Sequence, residues 1–399
     1  MRLVITGASG FIAQEIVPLF LQRGVVPILI SARCQPLRER FPDLVCDSYD
    51  NLPHHLAGAE GVLHLAAKNN DTEGTLAEFR EENVEKTLSV LDAAKTAGVP
   101  YFIFTSSFHT LALGGPQSDY ARSKAEAEIA ISSQSRIDVS ILHMPAVYGS
   151  TFKGKLAILN RLPVFVQKLS VGMLAALKPV VNVSRIADRV TQILKGEIVL
   201  PNYLSDPAQE NAVYVVAKRI LDLAFMLAVV VLAGWLMVIV WLMIKLDSPG
   251  PGVFKQERVG KNGKTFTCFK FRTMRQGTKQ AGTHELSPSS VTRFGHFLRK
   301  TKIDELPQII NIMYNEVSLI GPRPCLPSQL KLIEERSRLG VFSVKPGISG
   351  LAQVQNIDMS EPSRLALVDA SYVAQQSILL DLKILLLTLS GSGQGDKIK

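Results

Sequence analysis

Leu3-Val4-Ile5-Thr6-Gly7-Ala8-Ser9-Gly10-Phe11-Ile12-Ala13 is the stretch that decides how the first half of this chain folds. Its opening apolar run reads as a buried strand, and the two glycines that follow read as a sharp turn. A helical pattern then begins near Phe11 and continues through Gln14–Arg23. Strand, glycine turn and helix in that order make a site for a pyrophosphate. Gly7 and Gly10 let the backbone approach the phosphates closely, and the first helical amides point at them. Ala13 stands where a third small residue lets helix pack on strand.

The same alternation continues outward. Val26–Ser31, Gly61–Leu65, Tyr101–Thr105 and Val139–His143 read as strands, and Thr75–Thr96 and Ala121–Ser132 as helices. This spacing predicts an α/β unit, a doubly wound parallel sheet covered by helices on both faces. Tyr120-Ala-Arg-Ser-Lys124 sets a phenol and an ammonium on one helical face. A nearby ammonium favours phenolate, so Tyr120 is expected to have a lowered pKa and to act as acid or base beside a carbinol or ketone. Thr105-Ser106-Ser107, ending a buried strand, is placed to supply the hydroxyl that orients that oxygen.

In order along residues 1–205, Thr6-Gly-Ala-Ser-Gly-Phe-Ile12, Leu63-His-Leu-Ala-Ala67, Phe104-Thr-Ser-Ser107, Tyr120…Lys124 and Pro145-Ala-Val-Tyr-Gly149 resemble the extended short-chain dehydrogenase/reductase family, the nucleotide-sugar epimerases, dehydratases and reductases. The resemblance implies a Rossmann-like fold holding NADP(H) or NAD(H) at Gly7, Gly10, Phe11, Ile12, Asp47 and Ala66. It implies Tyr120 as acid/base, Lys124 on the ribose and Ser107 as the orienting hydroxyl. Asp47 matches the aspartate on the adenine side. Two departures stand out. Ser107 and Tyr120 are 13 apart, a shortened substrate loop, and Ser31-Ala-Arg33 offers no acid for a ribose 2′-hydroxyl. Arg33 suits a 2′-phosphate better, which leans toward NADP.

Charge and hydropathy divide the chain. Residues 1–211 carry 20 Lys+Arg against 21 Asp+Glu, and residues 212–399 carry 24 against 14, so the formal excess of +9 belongs to the second half. That half suits anionic surfaces or ligands such as phospholipid headgroups and diphosphates. Its basic residues lie inside other motifs, and no nucleic-acid-binding pattern accompanies them. Cys34, Cys46, Cys268 and Cys325 form no Cys-x-x-Cys pair, which excludes a zinc motif and a disulfide framework. Met1-Arg-Leu-Val runs straight into a strand with no signal-peptide layout, so the first domain is expected in the cytoplasm. Ile220–Ile244 gives 25 residues that are apolar except for Asp222 and Gly234. Lys218 and Arg219 precede it and Lys245 follows. Positive charge on both flanks opposes a simple crossing and favours a re-entrant helical hairpin that returns to the cytoplasmic face. The expected layout is a sugar-nucleotide domain over 1–205, a linker over 206–217, the membrane hairpin over 218–245, a catalytic domain over 246–390 and a tail over 391–399.

Beyond the hairpin come Lys245-Leu-Asp-Ser-Pro-Gly-Pro251, Phe269-Lys-Phe-Arg-Thr-Met274, Ile303-Asp-Glu-Leu-Pro307, Leu319-Ile-Gly-Pro-Arg-Pro324 and Lys345-Pro-Gly-Ile-Ser-Gly-Leu-Ala-Gln353. Cations framing adjacent carboxylates are what phosphoryl transfer between two anions requires. Gly260-Lys-Asn-Gly-Lys-Thr265 imitates a phosphate-binding P-loop, but the required first glycine falls on Arg258, so a basic turn is the better reading. The ordered set resembles the bacterial sugar transferase family, the monotopic polyprenol-phosphate glycosyl-1-phosphate transferases, over roughly 213–390. The resemblance implies a small, mainly helical domain on the cytoplasmic leaflet of the inner membrane. Asp304 corresponds to a nucleophile that forms a covalent glycosyl-phosphoryl aspartate and releases UMP, and Glu305 to its partner at Mg²⁺. Lys270, Arg272 and Arg323 fall on positions expected to bind phosphates or nucleotide. The arginine that commonly follows Ala-Gln-Val in relatives is absent, because Gln355-Asn-Ile-Asp-Met359 stands there.

Fusion of the two halves suggests consecutive steps. The first would reduce a UDP-4-keto-sugar, and the second would attach the product, a 6-deoxy-N-acetylhexosamine phosphate, to undecaprenyl phosphate. A UDP-HexNAc C4 epimerase, or a non-catalytic nucleotide-binding module, are the alternatives for the first domain. The expected partners are a UDP-sugar, undecaprenyl phosphate and the membrane, with no nucleic acid and with a homodimer left open.

Overall fold

The first strands are apolar at nearly every position because both faces of their sheet are covered. The computed structural model describes residues 1–134, 136–150, 160, 161, 163–198, 200–275, 277, 278 and 291–391. It divides into two units, Met1–Val171 with Pro179–Asp206, and Gly172–Lys178 with the chain from Pro207 onward. Of the tail expected over 391–399, only Gly391 lies within the described residues.

The first unit runs β1 (Arg2–Thr6), α1 (Phe11–Gln22), β2 (Val26–Ile30), α2 (Gln35–Arg40), β3 (Cys46–Asp47), α3 (Leu52–Leu56), β4 (Gly61–His64), α4 (Leu76–Arg80), α5 (Lys86–Thr96), β5 (Tyr101–Ser107), α6 (Asp119–Ser132) and β6 (Asp138–Met144). These six strands form one parallel sheet in the order β3-β2-β1-β4-β5-β6. Strand order reverses between β1 and β4, which is where open α/β sheets bind ligands. Leu3 and Ile5 pack with Ile16 and Phe20 of α1 on one face, and Val4, Ile28 and Ile30 with Val90 and Leu91 of α5 on the other. The doubly wound fold expected from the sequence is therefore present. Thr75–Thr96, read as one helix, instead holds a π turn, Glu81–Glu85, between α4 and α5. That turn buries Asn83, whose side chain donates to Ser123 Oγ at 2.9 Å and accepts from the Lys68 amide at 2.8 Å. A short parallel pair, β7 (Ala146–Tyr148) with β8 (Val180–Asn182), follows, together with α7 (Val164–Leu177) and α8 (Val183–Leu194). The division between the units falls within α7.

The second unit is mainly helical. It comprises α9 (Ala212–Asp247), the antiparallel hairpin β9 (Val253–Val259) and β10 (Thr265–Phe271), α10 (Arg293–Thr301), α11 (Ile309–Met313), β11 (Ser318–Ile320), α12 (Leu330–Arg338), β12 (Gly347–Ser349), α13 (Leu351–Val354), α14 (Pro362–Gln375) and α15 (Ile378–Leu389). α9 starts six residues before the expected hairpin and is one helix of 36 residues with no non-helical residue inside it. No non-helical residue interrupts 218–245, so the chain stays helical through Gly234. The reason is that Gly234 weakens a helix by only about 1 kcal/mol and, unlike proline, removes no backbone donor.

Both ends of α9 are anchored in the same unit. At its start Lys218 Nζ lies 2.6 Å from Asp381 Oδ2 and donates to the Ile320 carbonyl at 3.0 Å. One turn on, Asp222 accepts from Ser318 Oγ at 2.9 Å and from the Leu319 amide at 2.8 Å. At its far end Val240 and Ile244 pack with Phe271 and Leu298. No residue from Leu223 to Ile239 is buried, and Leu227, Val231, Leu232 and Trp235 are each more than half exposed. By length and composition α9 is long and apolar enough to cross a membrane.

Candidate active sites

At the end of β1 the chain turns through Gly7, whose φ is +74°. A Cβ there would stand 2.5 Å from the Ala66 amide nitrogen and 2.6 Å from its Cα, so only glycine lets these two backbones meet. The Gly7 amide donates to Tyr49 Oη at 3.0 Å, and the Gly10 amide to the Gly7 carbonyl at 3.0 Å. α1 then opens at Phe11 and Ile12 with no side-chain cap and no acid in its first turn. The positive dipole end of this helix therefore suits an anion. At the end of β2 Arg33 is exposed. Asp47 is committed elsewhere. Its Oδ2 meets His55 Nε2 at 2.8 Å, and its Oδ1 accepts from the Ser48 amide at 2.8 Å and Asn51 Nδ2 at 3.1 Å. His55, then Asn51, hold its carboxyl down at about 2.

Ser107, at the end of β5, and Tyr120, in the first turn of α6, come near enough for the Ser107 hydroxyl to favour the phenolate. The phenol is not lowered as the Tyr120–Lys124 spacing led us to expect. Burial raises it, and the bond to Ser107 only partly offsets that. Lys124 exerts no such pull because its Nζ is turned inward. It donates to the Thr105 carbonyl at 2.8 Å and lies 4.3 Å from the centre of the Phe104 ring. Burial lowers this ammonium to about 8, against the opposing pull of Glu128. His64, in the Leu63–Ala67 motif, is locked between Thr6 Oγ1 at 2.7 Å and Thr87 Oγ1 at 3.1 Å. Its burial, then Lys124, drive its pKa down to about 3, so it remains neutral.

The second site is built on a turn. α10 ends in the left-handed residue Lys302, and the chain tightens into a 3-10 stretch, Ile303–Gln308, with Asp304 and Glu305 in its first turn. This stretch packs along β10, which carries Lys270. Lys270 Nζ lies 2.8 Å from Glu305 Oε1, and Arg323 Nη2 lies 3.3 Å from the same oxygen. Two carboxylates and two cations thus share a half-buried pocket. Burial, then the Glu305 charge, raise Asp304 to about 6. Burial works on Glu305 in the same sense, but Lys270 and Arg323 outweigh it and bring that carboxyl to about 2. Two neighbouring acids pushed apart in this way take different chemical roles.

Arg272, grouped with these cations from its motif, is not among them. It is buried, and it donates to the Pro249 carbonyl at 2.9 Å, the Ser248 carbonyl at 2.7 Å and the Ile244 carbonyl at 3.3 Å. Its work is to close the C-terminal end of α9, where unpaired carbonyls attract cations. The reason is positional, since β10 ends at Phe271 and the chain has turned away from the acids by Arg272. The false P-loop is the β9–β10 turn, with Asn262 and Gly263 both at positive φ.

Residues that no motif singled out support the site. Asn311, fully buried, accepts from the Phe269 amide at 3.1 Å and donates to the Thr267 carbonyl at 2.7 Å, pinning β10 to the segment after the acids. Arg336 and Asp369 form a buried pair, with Nη2 to Oδ2 at 2.6 Å, and Arg336 Nη1 donates to the Arg323 carbonyl at 2.8 Å. Neither stands out in sequence, because their partners are 40 or so and 13 to 33 residues away. The motifs at 319–324 and 345–353 meet because β11 and β12 pair in parallel. A Cβ on Gly347 would lie 2.0 Å from the Gly321 amide nitrogen, so both positions must be glycine.

Among the described residues no group of three or more His, Cys, Asp or Glu side chains is placed to hold a metal by itself. Mg²⁺ is commonly held through one or two carboxylates together with substrate phosphates, and the Asp304–Glu305 pair fits that limited donor set.

Comparison with known proteins agrees with this division. Residues 213–394 match the bacterial sugar transferase family, and residues 3–184 match the NAD dependent epimerase/dehydratase family. An uncharacterized sugar transferase of Bacillus subtilis, EpsL, is 36% identical over 174 residues, which are 44% of this chain and 86% of that one. The UDP-N-acetylgalactosamine-undecaprenyl-phosphate N-acetylgalactosaminephosphotransferase of Aeromonas hydrophila is 34% identical over 221 residues, 53% of this chain and 51% of its own. The match spans about half the length of that relative. A solved short-chain dehydrogenase/reductase superfamily protein of Agrobacterium tumefaciens, with bound NAD, is 16% identical, with a TM-score of 0.40 over 52% of this chain and 78% of its own. The chain belongs to the bacterial sugar transferase family, and carries in front of that region an NAD-dependent epimerase/dehydratase domain.

Proposed function

We propose that the second unit transfers a sugar-1-phosphate from a UDP-sugar to undecaprenyl phosphate, with release of UMP. The observation that carries this reading is the Asp304–Glu305 pair, half-buried, with its acidities pushed apart and framed by Lys270 and Arg323. Asp304 attacks the phosphorus that bears the sugar, and the bond to the UMP oxygen breaks. The polyprenyl phosphate oxygen then attacks the same phosphorus and frees the carboxylate. Lys270 and Arg323 offset the charge of the diphosphate. Glu305, together with substrate phosphates, would hold Mg²⁺, which would supply further charge neutralisation. The Aeromonas relative's activity, on UDP-N-acetylgalactosamine and undecaprenyl phosphate, supports this choice of partners.

The reading includes membrane attachment from one side. α9 is anchored at both ends to one unit through Lys218, Asp222 and Arg272. A helix tied in this way enters a leaflet and leaves it on the same face, and the basic charge around it suits the cytoplasmic surface of the inner membrane. The first unit binds a nicotinamide dinucleotide across Gly7, Gly10, Phe11, Ile12 and Ala66, with Arg33 on a 2′-phosphate. There it reduces a UDP-4-keto-sugar, with Tyr120 delivering the proton and Ser107 orienting the carbonyl oxygen. A non-catalytic nucleotide-binding role is favoured by one observation, namely that Lys124 is turned away to the Thr105 carbonyl.

The test is UMP release from purified protein in nanodiscs with undecaprenyl phosphate, Mg²⁺ and a panel of UDP-sugars. The panel includes a UDP-4-keto-6-deoxy-HexNAc with and without NADPH. Release from the keto-sugar only with NADPH, lost in Asp304→Asn, supports the coupled pair. Release from a finished sugar regardless of cofactor keeps the transferase and leaves the first unit as an epimerase or a binding module. Equal release by Asp304→Asn sinks the central reading.

A further inference from the structure

α7 is inside out. Val164, Phe165, Leu169, Met173 and Leu177 are 65%, 73%, 55%, 55% and 45% exposed, and Leu174 lies beside them. Phe165, Leu169, Met173 and Leu177 recur every four residues and so line one side of the helix. Gln167, Ser170, Gly172 and Ala176 are half-buried or buried, as are Val166, Val171 and Ala175. A helix of a water-soluble domain is patterned the other way. Exposure on this scale, gathered on one helix, marks a surface made for something apolar.

Three observations choose the occupant. Lys168 and Lys178 are both exposed on the same helix, where long basic side chains reach lipid phosphates from a helix lying in the interface. The C-terminal half of α7 is bound to the start of α9. Asn211, which caps α9, donates through Nδ2 to the Gly172 carbonyl at 2.7 Å, and a Cβ on Gly172 would lie 3.9 Å from Val213. Finally, α9, to whose start α7 is tied, itself bears the bare apolar surface read above as lipid-embedded.

We propose that α7 is a second membrane-contacting element, an interfacial helix whose Val164–Leu177 face lies in the headgroup and acyl boundary of an anionic leaflet beside α9. It would hold the dinucleotide-binding unit to the surface on which the transferase works. The inference rests on the membrane reading of α9, and the test separates the two.

Single cysteines are introduced into the full chain carrying Cys34→Ser, at Leu169 on α7, Val231 on α9 and Ile129 on α6. Each is labelled with an environment-sensitive fluorophore and reconstituted in vesicles of phosphatidylglycerol and phosphatidylethanolamine, with and without brominated acyl chains. Ile129 is 74% exposed and serves as the water-facing control. The expected result is a blue-shifted emission at Leu169 and a loss of emission in brominated vesicles, as at Val231, with neither at Ile129. A quenched Val231 with Leu169 unquenched and open to aqueous iodide overturns the proposal and leaves α9 in the membrane. Leu169 shielded from iodide but untouched by bromine also overturns it, because the face is then covered by protein. Absence of quenching at all three positions overturns both the proposal and the membrane reading of α9.

Discussion

At the residue scale the proposed chemistry turns on Asp304. A carboxyl raised to about 6 can serve as the proposed nucleophile only when ionised. The kcat/KM for UMP release should therefore fall as pH drops through about 6, and a pH profile of the free enzyme reads that limb directly. Its burial also has a cost in stability. Folding raises this carboxyl from 3.8 to about 6, so the folded state holds the proton more tightly than the unfolded one. The fold is therefore penalised above about pH 6, and the penalty is relieved as pH falls toward 4. Asp304→Asn removes the charge at issue. It should abolish turnover, by roughly 10³-fold or more as expected for a nucleophile, and raise Tm at pH 7.5. Thermal melts at pH 7.5 and 4.5 check this, and a Tm gain that does not shrink at the lower pH would count against the assignment. Lys270 and Arg323 act on the same Glu305 oxygen, so their single substitutions by methionine should not add, which a double-mutant cycle of UMP release would measure.

At the element scale α9 is the feature whose attachments matter most. Asp381 is fully buried and receives Lys218 Nζ at 2.6 Å and Tyr372 Oη at 2.8 Å. Removing one partner of such a pair leaves the other charge buried and typically costs about 3–5 kcal/mol. Asp381→Asn should thus loosen the start of α9, seen as faster amide exchange over the first turns, with far less change at α6. Asp222 explains why a carboxylate interrupts an otherwise apolar run. It closes the Ser318 hydroxyl and the Leu319 amide, an anchor that a pattern of hydropathy reads only as an interruption. In the first unit the Gly7 turn is equally constrained. Gly7→Ala drives a Cβ to 2.5 Å from the Ala66 nitrogen and should eliminate dinucleotide binding in a titration of intrinsic fluorescence, while UMP release from a finished UDP-sugar is retained.

At the scale of the whole molecule the two units carry separate chemistry on one chain. If Tyr120 serves a redox step and Asp304 a phosphoryl transfer, their losses are separable. Tyr120→Phe should stop oxidation or reduction of a UDP-sugar, read by NADPH absorbance, and leave UMP release from a finished donor within about twofold of the unmodified chain. Loss of both activities on this single change would instead mean that the first unit governs the second.

Much of this was legible in the residues themselves. Strand and helix alternation with the Gly7–Gly10 turn determined the parallel sheet, because periodicity and glycine geometry are local properties. The ordered motifs determined the transferase region and brought Asp304, Glu305, Lys270 and Arg323 into view together. Tertiary structure decided what local pattern cannot encode. Arg272 belongs to the end of α9, Lys124 points to a backbone carbonyl, and Tyr120 is raised by burial. Charge on a side chain is written in sequence, but its partner and its distance from water are set by which distant segments pack against it.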